Sequence, residues 1–134
     1  MIEVFNLADH KNSLTKSLPL GYKQRLALSC SLMHHPHILF LDEPTSGVDP
    51  LTRREFWHQI NLLAASGVSI LVSTHLMDEA EYCDRIGLIH QGSLKAIGTP
   101  EELKKHVPKD VVAEPSLFDV FLHFCSETVD RRDT

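Results

Sequence analysis

Ile38-Leu39-Phe40-Leu41-Asp42-Glu43-Pro44-Thr45-Ser46-Gly47-Val48-Asp49-Pro50 is the stretch that decides how this 134-residue chain folds. Four apolar residues end in two adjacent carboxylates, and a turn of small residues then closes on a third acid. An apolar run that ends in acids is how a buried parallel strand delivers carboxylates to a sheet edge, where ligands bind in open α/β folds. Two acids at one strand end can divide the work. One holds a hard cation and the other orients or deprotonates water. Those are the requirements of metal-assisted phosphoryl transfer to water. The bland reading is a strand-end turn with capping acids; the continuation Pro-Thr-Ser-Gly-Val-Asp favours the chemical one.

Working outward, Asp49 reads as a helix N-cap with Pro50 at the first helical position. Phe56, Ile60, Leu63 and Ala64 then make an apolar stripe that Gly67 closes. Ser69–Ser73 (SILVS) reads as a second buried strand, followed by a short helix around Asp78–Cys83. Upstream, Gly21–His34 has helical spacing, with Leu26, Cys30 and Met33 on one face and Pro36 ending it. Cys30 on that stripe reads as a small buried hydrophobe. Lys23 and Arg25 read as surface charges, and His34, His35 and His37 as a solvated helix end rather than a metal site. The opening is a short apolar patch of Val4, Phe5 and Leu7. Downstream, Arg85–His90 and Ser93–Gly98 read as a hairpin around Gln91-Gly92. Thr99-Pro100-Glu101-Glu102 starts a helix with a reciprocal cap. Leu117, Val120, Phe121 and Phe124 fall at helical spacing, Phe118, Phe121 and Phe124 read as core or a docking face, and Glu127–Thr134 is polar and frayed. Strand, helix, strand, helix in succession predicts a parallel α/β sheet.

Composition narrows the class. At 43% hydrophobic and 23% charged residues, the chain reads as globular. A formal net charge of -5, from 18 acids against 13 Lys and Arg, argues against direct nucleic-acid binding. No apolar run approaches the ~20 residues that span a bilayer, and no secretory signal opens the chain. Any membrane link is expected to run through a partner. Three scattered cysteines suggest reduced thiols, not a disulfide frame.

These motifs resemble, in order and spacing, the ATP-binding cassette (ABC) transporter ATPases. ILFLDEP resembles their Walker B strand with its following glutamate, and Ser46-Gly47-Val48-Asp49 their D-loop. Ser73-Thr74-His75 resembles the switch histidine after the next strand. Leu18-Pro19-Leu20-Gly21-Tyr22-Lys23-Gln24-Arg25 stands where the signature motif belongs. The stretches Phe56-Trp57 and Met77-Asp78-Glu79-Ala80-Glu81 fit the drug-export branch, which serves ABC-2-type permeases. The resemblance covers the C-terminal half of a cassette. It implies a partial P-loop NTPase fold of class α/β, with parallel strands, flanking helices, and a C-terminal hairpin and helices.

Roles follow by position as the resemblance implies. Asp42 would hold Mg²⁺, and Glu43 would polarise the attacking water. His75 would contact the γ-phosphate of ATP. Leu18, Pro19, Leu20, Gly21 and Tyr22 would meet nucleotide held by a second cassette, and Ser46, Gly47 and Asp49 would face that partner across a dimer interface. Residues 1–106 would be cassette and 107–134 a helical extension. The function implied is ATP binding and hydrolysis that drives export through a membrane permease, at a cytoplasmic location that includes the inner face of the cell membrane.

Two departures bear on this. No G-x-x-x-x-G-K-[ST] loop lies in the 134 residues, and no glutamine precedes Gln24, so neither Walker A nor the Q-loop is present. Removing a single oxyanion donor costs about 100- to 1000-fold in rate, so this chain is expected to be inactive by itself. In the signature, Pro19 stands for the usual Ser and Leu20 for the first Gly, while Gly21 is kept. That substitution suits a helix start but weakens the phosphate contact. The expected product is a truncated cassette. Two rival readings stay open: a non-catalytic module that pairs with an intact cassette, and a ribosome-associated ABC-type ATPase.

Overall fold

The computed structural model describes residues 2–3, 5–108, 110 and 112–130. Val4 of the expected apolar opening and residues 131–134 of the expected polar tail lie outside that set. The chain divides into two compact units, Met1–His75 and Leu76–Thr134.

The first unit opens with short 3-10 turns at Ala8–His10 and Thr15–Ser17. Then come α1 (Leu20–Ser31), β1 (Ile38–Asp42), α2 (Pro50–Ala65) and β2 (Ser69–Ser73). β1 and β2 pair in parallel, with Ile38 opposite Ser69, Phe40 opposite Leu71 and Asp42 opposite Ser73. The α2 helix between them is the crossover that parallel pairing requires. Its buried face is Phe56, Trp57 and Ile60; Leu63 and Ala64 are half-buried. Asp49 caps it by accepting from the Thr52 amide at 3.0 Å, with Pro50 in the first turn. Gly67, at φ +101°, turns the chain back toward β2.

Three expectations for this unit change. The strands are buried on one side only. Leu39 is 6% exposed, whereas Ile38, Phe40 and Leu71 are 58%, 72% and 63% exposed on the opposite face. Among the described residues of this unit, α2 is the helix that packs on β2. One covering layer gives the alternation of a half-buried strand rather than a continuous buried run. In α1 the buried residues are Arg25, Leu28 and Ser29, with Leu32 continuing the row. Cys30 and Met33 are exposed. Two leucine-bearing rows compete on this helix, and the row holding Leu28 and Leu32 buries the more branched surface. Arg25, expected at the surface, is 7% exposed. Its guanidinium pairs with Glu55 and lies 5.4 Å from the Tyr22 ring centroid, so its charge is partnered from α2 while its stem packs inward.

The second unit comprises α3 (Met77–Ala80), β3 (Ile86–His90), β4 (Ser93–Gly98), α4 (Pro100–Lys104) and α5 (Leu117–Asp130). The expected helix at Asp78–Cys83 is a single turn that begins one residue earlier. β3 and β4 form an antiparallel hairpin with a bulge between Leu88 and Ile89. Gln91 and Gly92 both take positive φ, 49° and 72°, as a two-residue hairpin loop with right-handed strand twist demands. Ala80, Ile86, Leu88, Leu103, Val107, Leu117 and Val120 form the core, with Phe121 and Phe124 packed against it. Phe118, expected with them, is 54% exposed, because it stands off the Leu117–Val120–Phe124 row. The Thr99 and Glu102 side chains each bond the other's amide, the reciprocal cap read from sequence. No described helix is long and apolar enough to cross a membrane.

Burial separates structural from peripheral aromatics. Trp57→Ala is expected to destabilise the first unit by about 3–5 kcal/mol, or to unfold it. Phe40→Ser is expected to move stability by no more than about 0.5 kcal/mol. Urea denaturation followed by tryptophan fluorescence for Phe40→Ser, and by circular dichroism for both, measures the contrast.

The helix caps carry a pH signature. Hydrogen bonds from Thr52, Thr99 and Ser116 hold the carboxyls of Asp49, Glu102 and Asp119 below their ordinary values of 3.8, 4.5 and 3.8. A depressed folded-state pKa stabilises above the unfolded value, and that stabilisation is lost as pH falls through the folded value. The first turns of α2, α4 and α5 should therefore keep their amide bonds at neutral pH and loosen below about pH 4. Asp49→Asn should remove the acid sensitivity of α2 alone, read by amide shifts in a pH series.

Candidate functional site

Parallel pairing in register brings the ends of β1 and β2 to the same edge, so Asp42 lies opposite Ser73. The Ser73 hydroxyl donates to Asp42 Oδ1. The Glu43 amide in turn donates to the Ser73 carbonyl at 2.9 Å and lies 3.3 Å from the Ser73 hydroxyl oxygen. Glu43 Oε1 is 3.1 Å from His75 Nδ1. Asp42, Ser73, Glu43 and His75 thus form one connected polar group at the C-terminal edge of the sheet.

This group is exposed: the Glu43 and His75 side chains are 48% and 61% accessible. Exposed ion pairs contribute little to stability. Glu43 also sits at φ +43°, a left-handed conformation that is costly for a residue with a Cβ. The arrangement is thus not explained by stability, and it presents oxygen and imidazole groups outward. Asp42 has one oxygen taken by Ser73 and its second oxygen free of that bond. Among the described residues, no three His, Cys, Asp or Glu side chains converge to hold a metal ion. A cavity of about 420 Å³ lies elsewhere, lined by Phe5, Arg25, Arg54 and Glu55 among others; none of the four edge residues lines it.

The loop leaving this edge turns at Gly47, φ +74°. A side chain there would meet Leu20 Cδ2 at 3.2 Å. Gln24 Nε2 donates to the Ser46 carbonyl at 3.4 Å, which ties α1 to the same loop. Asp49 ends the loop as the α2 cap, so the carboxylate expected to face a partner is also a structural acceptor. Leu18 is buried, Pro19 caps α1 without a side-chain bond, Leu20 is exposed, and Gly21 and Tyr22 are half-buried. Tyr22 packs edge-on against His10, ring centroids 4.2 Å apart. The sequence-derived residues therefore form two groups: Asp42, Glu43 and His75 at the strand ends, and Leu18–Tyr22 against Ser46–Asp49 beside them in sequence. Sequence reasoning assigns Ser73 no role. Its signal was present, as a hydroxyl ending an apolar strand of the same length as β1, but its meaning depends on register.

No protein-family model matches the chain. Over 122 residues it is 58% identical to the Probable multidrug ABC transporter ATP-binding protein YbhF of Escherichia coli (strain K12), a match covering 91% of this chain and 21% of that protein. It is 37% identical over 113 residues to the Daunorubicin/doxorubicin resistance ATP-binding protein DrrA of Streptomyces peucetius, covering 84% and 34%. A solved ATP-binding subunit of an ABC transporter superposes with TM-score 0.74 at 29% identity, over 92% of this chain and 51% of that one. A second solved ATP-binding cassette gives 0.72 at 26% identity, over 84% and 46%. The chain thus spans about a fifth to a third of these curated relatives and about half of the solved subunits. Sequence order, parallel register and these likenesses agree: the chain belongs to the ATP-binding subunits of ABC transporters and carries the C-terminal half of their cassette.

Proposed function

We propose that the chain supplies the water-activating edge and the partner-facing surface of a cassette that hydrolyses ATP to drive export. The observation that carries this reading is the connected group Asp42–Ser73–Glu43–His75 at one sheet edge. The names of its relatives, multidrug transporter and daunorubicin resistance among them, support export as the process served.

The donor set suits Mg²⁺ in particular. Mg²⁺ keeps several waters and takes one or two carboxylates together with phosphate oxygens, instead of an all-protein cage. Asp42, exposed and engaged through one oxygen, fits that demand. When bound, the metal would neutralise phosphate charge. Glu43 is placed one residue on, held by its amide, with its carboxylate turned toward His75. A water between Glu43 and a γ-phosphate would lose its proton to the carboxylate as the oxygen attacks phosphorus, and ADP would leave with the bridging oxygen. His75 Nδ1, 3.1 Å from Glu43, would orient that carboxylate and face the same phosphate. Leu18–Tyr22 and Ser46–Asp49 would meet a second cassette, and a membrane permease would receive the motion.

A second reading has its own support. The Leu18–Tyr22 segment packs beside the Ser46–Asp49 loop, with Gln24 bonded to the Ser46 carbonyl, which suits a partner module that lends its signature surface without using its acids. Purified chain, alone and mixed with an intact ABC cassette that brings a P-loop, separates the two. MgATP binding by calorimetry should be absent for the chain alone and ATP turnover should rise on mixing. Asp42→Asn or Glu43→Gln in this chain should cut that rise about 100- to 10,000-fold. A rise unaffected by both substitutions would leave the partner-module reading, and no rise with any intact cassette would overturn both.

A further inference from the structure

Gly21 lies in α1 with ordinary helical backbone; it is not among the glycines at positive φ. Conformational freedom therefore does not explain it, and in a helix Ala is intrinsically the better residue. Space explains it. A Cβ at Gly21 would stand 2.5 Å from Thr52 Cγ2, against 3.7 Å from Thr52 Cβ and 3.8 Å from Val48 Cγ1. One methyl is the entire obstruction, and the other two distances are ordinary contacts.

That methyl is not free to swing aside. Thr52 sits in the first turn of α2, where its amide donates to Asp49 Oδ1 and its hydroxyl also bonds the Asp49 carboxylate. Rotating the side chain to relieve a collision would break the hydroxyl bond. Two further contacts point the same way: Leu20 against Gly47, and Gln24 on the Ser46 carbonyl. The last two join the start of α1 to the loop that leaves Glu43, and the first joins it to the turn of α2 that the loop's Asp49 caps.

We propose that Gly21 and Thr52 form a positioning contact that locks the Leu18–Tyr22 segment to the Ser46–Asp49 loop, so that both partner-facing segments move as one body. On this view the glycine serves close approach of two parts of its own chain, and Thr52 is a positioning residue. A displacement of the α1 start by a partner's nucleotide would reach Glu43 through the loop that directly follows it. The functional half of this inference rests on the cassette reading above; the packing half does not.

The test is a double-mutant cycle built on one methyl. Thr52→Ser deletes Cγ2 and keeps the hydroxyl. Gly21→Ala alone is expected to lower the melting midpoint of the chain by roughly 5 °C. It should also raise the Asp49 carboxyl toward its ordinary value, read by carbon-detected NMR, and cut the turnover gained on mixing with an intact cassette about 100-fold. Thr52→Ser alone should leave the melting midpoint and the Asp49 titration in place. Gly21→Ala with Thr52→Ser should restore melting, Asp49 titration and turnover to within about twofold of Thr52→Ser alone. A double variant as impaired as Gly21→Ala in melting and titration would overturn the contact. Melting and titration restored with turnover still lost would show that the glycine serves nucleotide approach, and would overturn the coupling. If neither parent nor variants raise turnover, the export-ATPase reading falls, while melting and titration still decide the contact.

Discussion

Everything at the candidate site depends on the parallel register of β1 and β2. Asp42 faces Ser73 only because Ile38 faces Ser69 four residues earlier. Side chains alternate along a strand, so a slip of one residue would turn Asp42 toward the buried side and bring Leu39 out to solvent. Leu39 is 6% exposed and Phe40 is 72% exposed, so burial of one face of the strand pins the register from one side. The polar end is thereby fixed by an apolar contact some residues away. The hydrogen bonds of Ser73 then refine what packing has set.

The loop from Glu43 to Asp49 carries that precision onward. It begins with an amide bonded to β2 and ends with a carboxylate capping α2. Between these anchors Gly47 takes the positive φ that lets the chain reverse beside Leu20. Both ends are thus tied to regular elements, and the middle is tied to α1 through Gln24. Arg25 adds a second tie between α1 and α2 through Glu55. A buried guanidinium is costly without a partner. With Glu55 and the Tyr22 ring it becomes a cross-brace between the two helices, and its geometry depends on both remaining in place.

Much of this was legible in the residues. Asp49-Pro50 and Thr99-Pro100-Glu101-Glu102 announce their helices because capping is local chemistry, satisfied within four residues. Gln91-Gly92 announces the hairpin for the same reason. Long-range facts were not legible. Which row of α1 turns inward was decided by the competition between Leu28–Leu32 and Leu26–Cys30–Met33, and the outcome depends on what α1 packs against. The half-exposed strands depend on how many layers cover the sheet, which no local pattern records. Ser73 was visible as a residue and invisible as a function, because its role exists only once Asp42 stands opposite it. The acids stand at the strand end as their sequence pattern implies, yet the Glu43–His75 contact crosses some thirty positions of sequence and no local pattern announces it.

Energetics distinguish what the fold needs from what the site needs. The caps and the Trp57 core lower the free energy of the folded chain. The Glu43–His75 pair, half to two-thirds exposed, offers little of that. Glu43 moreover occupies a left-handed conformation in which glycine would be easier. Replacing it with glycine would relieve the backbone and lose the carboxylate. A carboxylate at a strained position, where it contributes almost nothing to stability, is not accounted for by the energetics of the fold. Two bonds from its amide to Ser73 hold the strain, and the same serine fixes Asp42. Orientation of the acid pair and retention of the strained backbone are therefore one structural fact with a single hydroxyl-bearing residue at its centre.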